Sequence, residues 1–317
     1  MSTASLMVIG GPTASGKSDL ALRLAERCGG VVINADALQF FRDLRILSAR
    51  PSPDDEARVP HRLFGSLPGD DTVSAGRYLE LIAPELARCR RDGKPAIVVG
   101  GTGLYLEALL EGIAPVPPVP TTVRHDATSR HEALGGAVFR RELADLDPVM
   151  AARLHDGDSQ RLVRAYEVIV ATGRSLAWWQ AQPRERLSLP PLTLGLKLMP
   201  ERQALRARIE RRFEAMLAAG LLEEIERLGA LGLPNDAPVM KAIGVGALSA
   251  HVAGELSLDA ARARTIIATR QYAKRQITWF RHRLPMLQPV AAFGDGLQPH
   301  TDQFTRLARV DPGIVRQ

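Results

Sequence analysis

Apolar runs and helical stripes alternate over the first third of the chain. Leu6-Met7-Val8-Ile9 reads as a strand, and after a glycine-rich stretch Asp19 to Arg27 reads as a helix with Leu20, Leu22 and Leu24 among its apolar positions. Val31 to Ala35 is a second apolar run, ending at Asp36. Thr72 to Arg91 keeps helical spacing through Leu79, Leu81, Ile82 and Leu86, then closes on Arg88, Arg90, Arg91 and Gly93, a C-terminal signal. Ala96-Ile97-Val98-Val99 is a continuous run of the kind buried on both faces of a parallel sheet. Gly100-Gly101-Thr102-Gly103 leads into an apolar helix, Leu104 to Leu110. Strand and helix in alternation predict an α/β class with a doubly wound parallel sheet.

The rhythm then breaks. Pro115, Pro117, Pro118 and Pro120 predict a stiff linker. Val123 to Gln182 is helical in pattern and rich in Arg, His and Ala, which predicts a small all-helical insertion domain closed by Pro190-Pro191. Leu192 to Leu198 resumes a strand, expected to be the last of the sheet. Leu205, Ile209, Phe213, Met216 and Leu217 follow at helical spacing up to Gly220, and Leu258 to Leu284 reads as one long helix. The expected organisation is a core in two parts, 1–118 and 191–284, around an insertion at 119–190. The second part of the core ends in a helical C-terminal region, with a weakly ordered tail at 285–317.

Composition narrows the class without choosing a function. With 317 residues, 45% apolar and 24% charged, the chain suits about two soluble globular domains. No apolar stretch approaches the ~20 residues of a membrane span. No export leader is evident, so a cytoplasmic protein with no membrane partner is expected. Two distant cysteines, Cys28 and Cys89, make neither a disulfide framework nor a zinc site and are expected to be buried free thiols. The net charge of +6 permits a polyanionic partner.

Gly11-Pro12-Thr13-Ala14-Ser15-Gly16-Lys17-Ser18 matches the phosphate-binding loop G-x-x-x-x-G-K-[ST] in full, and it lies between a strand and a helix as that motif requires. Backbone amides and the helix N-terminus make an anion cradle. Lys17 adds a mobile charge and Ser18 a hydroxyl for Mg²⁺. Nucleotide and ATP-binding proteins share this loop, so it names a polyphosphate and not its fate. In an open α/β sheet ligands gather at the carboxyl ends of strands, where Asp36 and the Gly100–Gly103 turn also fall. Asp36 can be a Mg²⁺ ligand, a general base or a helix cap. Gln39 can address a base edge or be a solvated amide. Thr102 can face developing charge, cap the next helix, or both. Arg161 and Arg164 share one helical face. The long helix holds seven Lys/Arg against Asp259, with Arg270, Lys274 and Arg281 on one face and Trp279 and Phe280 as stacking surface. Such a face suits RNA, although a solvated basic helix has the same pattern.

From Ser5 to Leu284 the chain resembles the tRNA dimethylallyltransferase family. The resemblance is carried by the 11–18 loop, Asp36-Ala37-Leu38-Gln39, Val98 to Leu106 with its Gly-Gly-Thr-Gly-Leu-Tyr-Leu string, Asp158 to Arg161, Lys241 to Gly244 and Ala268 to Gln276. It implies transfer of a dimethylallyl group from dimethylallyl diphosphate to the exocyclic amine of the adenosine 3′ of the anticodon, in tRNAs reading codons that begin with U. The loop, through Thr13, Lys17 and Ser18, would then hold a diphosphate leaving group with Mg²⁺, with Arg208 and Arg212 as further diphosphate contacts. Asp36 would take the amine proton, and Thr102 would contact the reacting groups. The tRNA would meet Asp36, Ala37, Leu38, Gln39, Thr102, Arg124, Gln160, Arg161, Leu162, Val163 and Arg164. It would also meet Lys241, Ala242, Ile243, Gly244, Val245, Gly246, Lys274, Arg275, Gln276, Ile277, Thr278, Trp279, Phe280 and Arg281. A monomer is expected. The chain departs from the family pattern at Ala37, usually Ser; Phe41 and Val245, usually Tyr; and Arg50, usually Lys. No Asp-Asp-x-x-Asp motif of isoprenoid synthases occurs, which leaves diphosphate departure to the glycine-rich loop.

Overall fold

The computed structural model describes residues 5–298. In chain order the elements are β1 (Leu6–Gly10), α1 (Lys17–Cys28), β2 (Val31–Asn34), α2 (Pro53–Arg58), β3 (His61–Arg62), α3 (Ala75–Arg91), β4 (Ala96–Gly100) and α4 (Gly103–Glu111). Then come α5 (Thr121–Leu146), α6 (Pro148–Arg153), α7 (Ser159–Thr172) and α8 (Leu176–Gln180). Last are β5 (Leu192–Leu198), α9 (Arg202–Ala218), α10 (Leu221–Ala230), α11 (Val245–Val252), α12 (Leu258–His282) and β6 (Gln288–Val290). The chain divides into two compact units, one of residues 1–110 and 187–317, the other of residues 111–186.

The first unit is built on a six-stranded sheet in the order β3-β2-β4-β1-β5-β6, with every pairing parallel. β2 and β4 are buried throughout, as their unbroken apolar runs require. Ile9, Val32, Ile97, Val99, Leu196 and Leu198 pack there with Leu20, Ala21 and Leu24 of α1. Local chemistry sets the helix ends. Ser74 caps α3 by accepting from Arg77 N, and Gly29 ends α1 in the left-handed region. Lys197, buried on β5, donates to the carbonyls of Arg283 and Leu284, just beyond the last residue of α12. A second core joins α9 to α12 with the segment after β2, through Phe41, Leu44, Phe213, Ile225, Val239, Val245, Leu248 and Ile266.

The second unit is helical. Phe139, Leu143, Leu162, Ala165 and Tyr166 form its core, with the Phe139 and Tyr166 rings 5.1 Å apart. The run of helix in α5 is interrupted at Gly135, whose φ of 72° bends the chain.

Four expectations change. The insertion begins at residue 111 and ends at 186, not at 119 and 190. The proline run is no free linker, because Val116 and Val119 between its prolines pack against the helical core. Leu192–Leu198 is not the last strand: Gln288–Val290, inside the segment expected to be weakly ordered, pairs beside it. Two or three residues paired at a sheet edge need little hydrophobic pattern, so neither β6 nor the two-residue β3 was visible in sequence. The rest of that tail, from residue 299, lies outside the described residues. Finally, Cys89 is buried but Cys28 is exposed, since it closes α1 at the surface.

Candidate active site

The carboxyl ends of β1, β2 and β4 bring together the three segments picked out in sequence. The Gly11–Ser18 loop bridges β1 and α1, and Gly16 sits at the N-cap with φ 80°, where a side chain would be strained and would strike Asp295. Ala14 also has positive φ, 62°, although it carries a side chain. Alternating left- and right-handed residues turn successive N–H groups into one concavity, and strain of this kind is characteristic of ligand loops. Lys17 is buried beneath the loop, its Nζ 3.5 Å from the Pro12 carbonyl. Burial pushes its pKa from 10.5 down to about 8, against a raising effect of Asp36 and with a further lowering from Arg212. Ser18 is exposed at the loop's mouth.

Asp36 is held by its own main chain. Asn34, fully buried at the end of β2, accepts from Asp36 N at 2.8 Å and donates to Asp36 O at 3.0 Å. One carboxylate oxygen of Asp36 accepts from Leu38 N at 3.3 Å and caps the short 3₁₀ turn Ala37–Phe40. The other lies beside Gly101, where a Cβ would come within 3.0 Å of it. So the capping role and the cavity-facing role coexist. Thr102 accepts from Ala37 N at 2.9 Å. Burial and then the charge of Asp36 raise the Tyr272 phenol above its ordinary 10.0, and the same two causes raise Tyr105.

Arg212 reaches in from α9 and donates to Thr13 Oγ1 at 3.2 Å. Burial brings its pKa down to about 10, opposed by Asp36 and aided by Arg208. Arg208 lies one turn earlier, paired with Asp295 at 2.8 Å and stacked over Phe293 at 4.8 Å.

These groups line one depression with two characters. A polar part is formed by Gly16, Lys17, Ser18, Gln39, Ala49 and Arg208. An apolar part is formed chiefly by Leu38, Leu47, Ile209, Phe213, Met216, Ile243 and Ile266. Thr13, Ala14, Asp36, Ser48 and Arg212 belong to both. The carboxylate of Asp36 therefore stands where an anion cradle passes into an apolar recess.

Several residues expected to meet tRNA have other work. Gln276 is buried; its Oε1 accepts from Thr13 N at 2.8 Å and its Nε2 donates to Gly101 O at 2.9 Å, so it is a strut between the two glycine turns. Phe280 is fully buried against Gly10 and offers no stacking surface. Leu162, Ala242 and Val245 are core residues, and Ile277 packs beside Ala273. Gln39 is buried at the cavity wall, and its Nε2 donates to the carbonyls of Ser48 and Ala49 at 3.0 and 2.9 Å, so its amide hydrogens hold that loop. Arg270, expected on the basic face, is paired with Glu210. Trp279 is half-buried against Gly103, with Arg283 over its ring at 5.7 Å.

Others stand in the open. Lys241, Gly246, Lys274, Arg275, Thr278 and Arg281 are exposed, and Ile243 and Gly244 are half-exposed. In the helical unit Gln160 and Arg161 are exposed on α7 and Val163 is half-exposed. Arg124 and Arg164 bracket the buried carboxylate of Glu167, the former at 3.4 Å. Of the departures from the family pattern, Phe41 and Val245 are buried packing residues, Ala37 contributes its backbone, and Arg50 donates to the Phe41 carbonyl at 3.1 Å. Sequence reasoning passed over Asn34, Tyr272 and Asp295; only the proximity of Asn34 to Asp36 could have signalled one of them.

Fold and cavity together define a doubly wound α/β protein whose strand–loop–helix anion cradle opens onto an apolar recess. Comparison with known proteins gives the family. Residues 39–283 match the family model described as IPP transferase, a span that starts just after the glycine-rich loop and Asp36. A tRNA dimethylallyltransferase of Rhodospirillum centenum is 51% identical over 284 residues, covering 89% of this chain and 90% of its own. The crystal structure of a tRNA isopentenylpyrophosphate transferase from Staphylococcus epidermidis aligns with a TM-score of 0.66 at 28% identity, over 96% of this chain and 98% of that one. A eukaryotic dimethylallyltransferase acting on tRNA shares the fold at a TM-score of 0.77 and 24% identity, over 96% of this chain and 78% of that one. The chain belongs to the tRNA dimethylallyltransferase family of prenyl transferases.

Proposed function

We propose that the protein transfers a dimethylallyl group from dimethylallyl diphosphate to the exocyclic amine of an adenosine in tRNA, beside the anticodon on its 3′ side in tRNAs reading U-initial codons. The observation that carries this reading is the two-part cavity with Asp36 at its join. A nucleoside triphosphate has no apolar tail for the recess lined by Leu47, Phe213, Met216 and Ile266. An allylic diphosphate is polar at one end and apolar at the other, with its reacting carbon between them.

The chemistry follows from that placement. The amine nitrogen bonds to the allylic carbon, the bond from that carbon to the diphosphate oxygen breaks, and the diphosphate leaves with the electron pair. The loop amides, Lys17 and Arg212 stabilise the leaving charge. Asp36 accepts the proton that the alkylated amine sheds, a role worth about 10²–10⁴ in rate. A base inside a stack cannot reach this depression and has to be splayed out. Exposed cations, Lys241, Lys274 and Arg281 in one unit and Arg161 in the other, supply phosphate contacts.

Magnesium fits the donor set. Ser18 offers an exposed hydroxyl beside the cradle, and among the described residues no group of three His, Cys, Asp or Glu side chains could hold an ion alone. That suits an ion held mostly by substrate oxygens and water. When bound it would offset charge on the diphosphate. No helix of the described residues is long and apolar enough to cross a membrane. A cytoplasmic location accords with a tRNA substrate.

The test is incubation of purified protein with unmodified tRNA and labelled dimethylallyl diphosphate, with ATP omitted. Label should appear in tRNA with release of one equivalent of diphosphate. Movement of a phosphoryl group from ATP to an acceptor, with RNA left unalkylated, would overturn the reading.

A further inference from the structure

Glu224 lies in the first turn of α10 with 4% of its surface exposed, packed among Leu221, Ile225 and Leu228. A carboxylate in such a place is costly unless its oxygens are fully hydrogen-bonded. Here they are. Oε1 accepts from Arg45 N at 2.7 Å and from Ile46 N at 2.8 Å, and Oε2 accepts from Leu47 N at 2.9 Å. Three consecutive amides of one loop converge on one side chain from a helix 177 to 179 positions away. A carboxylate, which only accepts, is the side chain that satisfies them all.

The loop so held forms part of the cavity wall. Leu47 lines the apolar part, Ala49 the polar part, and Ser48 both. The far side of the loop is held by Gln39, which donates to Ser48 O and Ala49 O, and Ser48 Oγ donates to Leu44 O at 2.6 Å. Ala49 has φ 50°, a conformation a residue with a Cβ rarely takes unless its surroundings impose it. The loop is thus pinned from both sides into a strained path, and Glu224 supplies one of the two pins without lining the cavity.

We propose that Glu224 is a positioning residue for the donor substrate: by gripping the main chain of Arg45 to Leu47 it fixes the wall made by Leu47 and Ser48, and so sets affinity for the apolar end of the donor. This rests on the reading of the cavity as a site for an allylic diphosphate.

The experiment uses the full-length protein with Glu224→Gln, Glu224→Asp and Leu47→Ala. In Glu224→Gln, one amide hydrogen replaces an acceptor lone pair opposite Leu47 N–H. Hydrogen exchange of the 45–47 amides, measured without substrate, should accelerate. KM for dimethylallyl diphosphate should rise about tenfold, while kcat and KM for tRNA stay within about twofold. Glu224→Asp, which keeps the charge but shortens the reach, should fall between. Leu47→Ala should raise the same KM with the 45–47 amides still protected, and it keeps the proposal testable if the Glu224 variants fail to fold. Amides that remain protected in Glu224→Gln would refute the clamp itself. An unchanged donor KM despite deprotected amides would refute its link to the substrate, as would a parallel fall in kcat and tRNA affinity. Absence of transfer by the unsubstituted protein would instead refute the donor reading, and the substrate half of the proposal with it.

Discussion

Raising the pH from 7 to above 9 should weaken donor binding chiefly through Lys17, since Arg212, held at about 10, loses its proton later. Burial holds this ammonium at about 8 in the free protein, against an ordinary 10.5. A bound diphosphate places negative charge on the cradle and favours the protonated form again. If the bound diphosphate restores the ordinary 10.5, the gap from about 8 amounts to about 3 kcal/mol, or about 300-fold. Affinity for dimethylallyl diphosphate, a diphosphate monoester already fully ionised in this range, should be flat below pH 7.5 or so and then fall up to about tenfold per unit above pH 8. Calorimetry at pH 8.5 in two buffers of different ionisation enthalpy, with tRNA omitted, should register uptake of about 0.75 proton per site. Lys17→Arg, whose guanidinium does not titrate there, should bind with no such slope. Stability moves the other way. Between pH 8 and 10.5 the unfolded chain binds a proton that the folded chain does not, so Lys17 penalises folding fully below pH 8, and the penalty is gone above 10.5. Opposite slopes of affinity and stability over one pH window are hard to obtain from a surface lysine. Proton uptake near zero, or affinity independent of pH from 7 to 9.5, would refute the reasoning.

Asp36→Asn keeps the shape of the side chain but removes the proton acceptor; single-turnover transfer should fall by about 10²–10⁴ with donor and tRNA binding nearly intact, and near-normal turnover would remove Asp36 from the mechanism. Gln276→Leu strands Thr13 N–H and Gly101 C=O, which should lower stability by about 2–4 kcal/mol in denaturant unfolding and weaken donor binding; an unmoved midpoint would mean the strut is dispensable. Lys274→Ala with Arg281→Ala should reduce the salt slope of tRNA binding by about two, whereas an unchanged slope would mark these residues as ordinary surface. Phe280→Ala, in the same stretch of helix, should instead cost about 3–5 kcal/mol of stability through a core cavity and leave the salt slope alone.

Legibility in the sequence followed the physics of each feature. The glycine-rich loop, Asp36 and the Gly100–Gly103 turn were readable because strand order in a parallel sheet forces their strand ends to one edge, whatever the side-chain detail. Leu192–Leu198 was readable to the residue, since seven residues of strand carry enough pattern. The short pairings at Gln288–Val290 and His61–Arg62 carry almost none. Within α12 the composition is basic, but composition does not say which side faces the sheet. Gln276 and Phe280 stand four apart on its inner face, and only Lys274, Arg275, Thr278 and Arg281 of the string 274–281 are fully open to solvent. Contacts between distant positions were beyond reach altogether. Nothing at Glu224 announces that three amides from the 45–47 loop will need it. Nothing at Asp295 announces an ion pair with Arg208.

The glycine-rich loop is complete within the first 18 residues, yet its supports come from the far end of the chain. Gln276 holds Thr13, Gly294 N donates to Ser15 O at 2.8 Å, and Arg23 donates to the carbonyls of Gly294 and Leu297 at 2.7 and 2.8 Å. During synthesis on the ribosome the cradle therefore waits, exposed and unbraced, until nearly three hundred residues have followed it out of the exit tunnel. The cradle gains its braces only once Gln276, Gly294 and Leu297 have been made, and a nascent chain halted before Gln276 would have every cradle residue and none of these braces behind them.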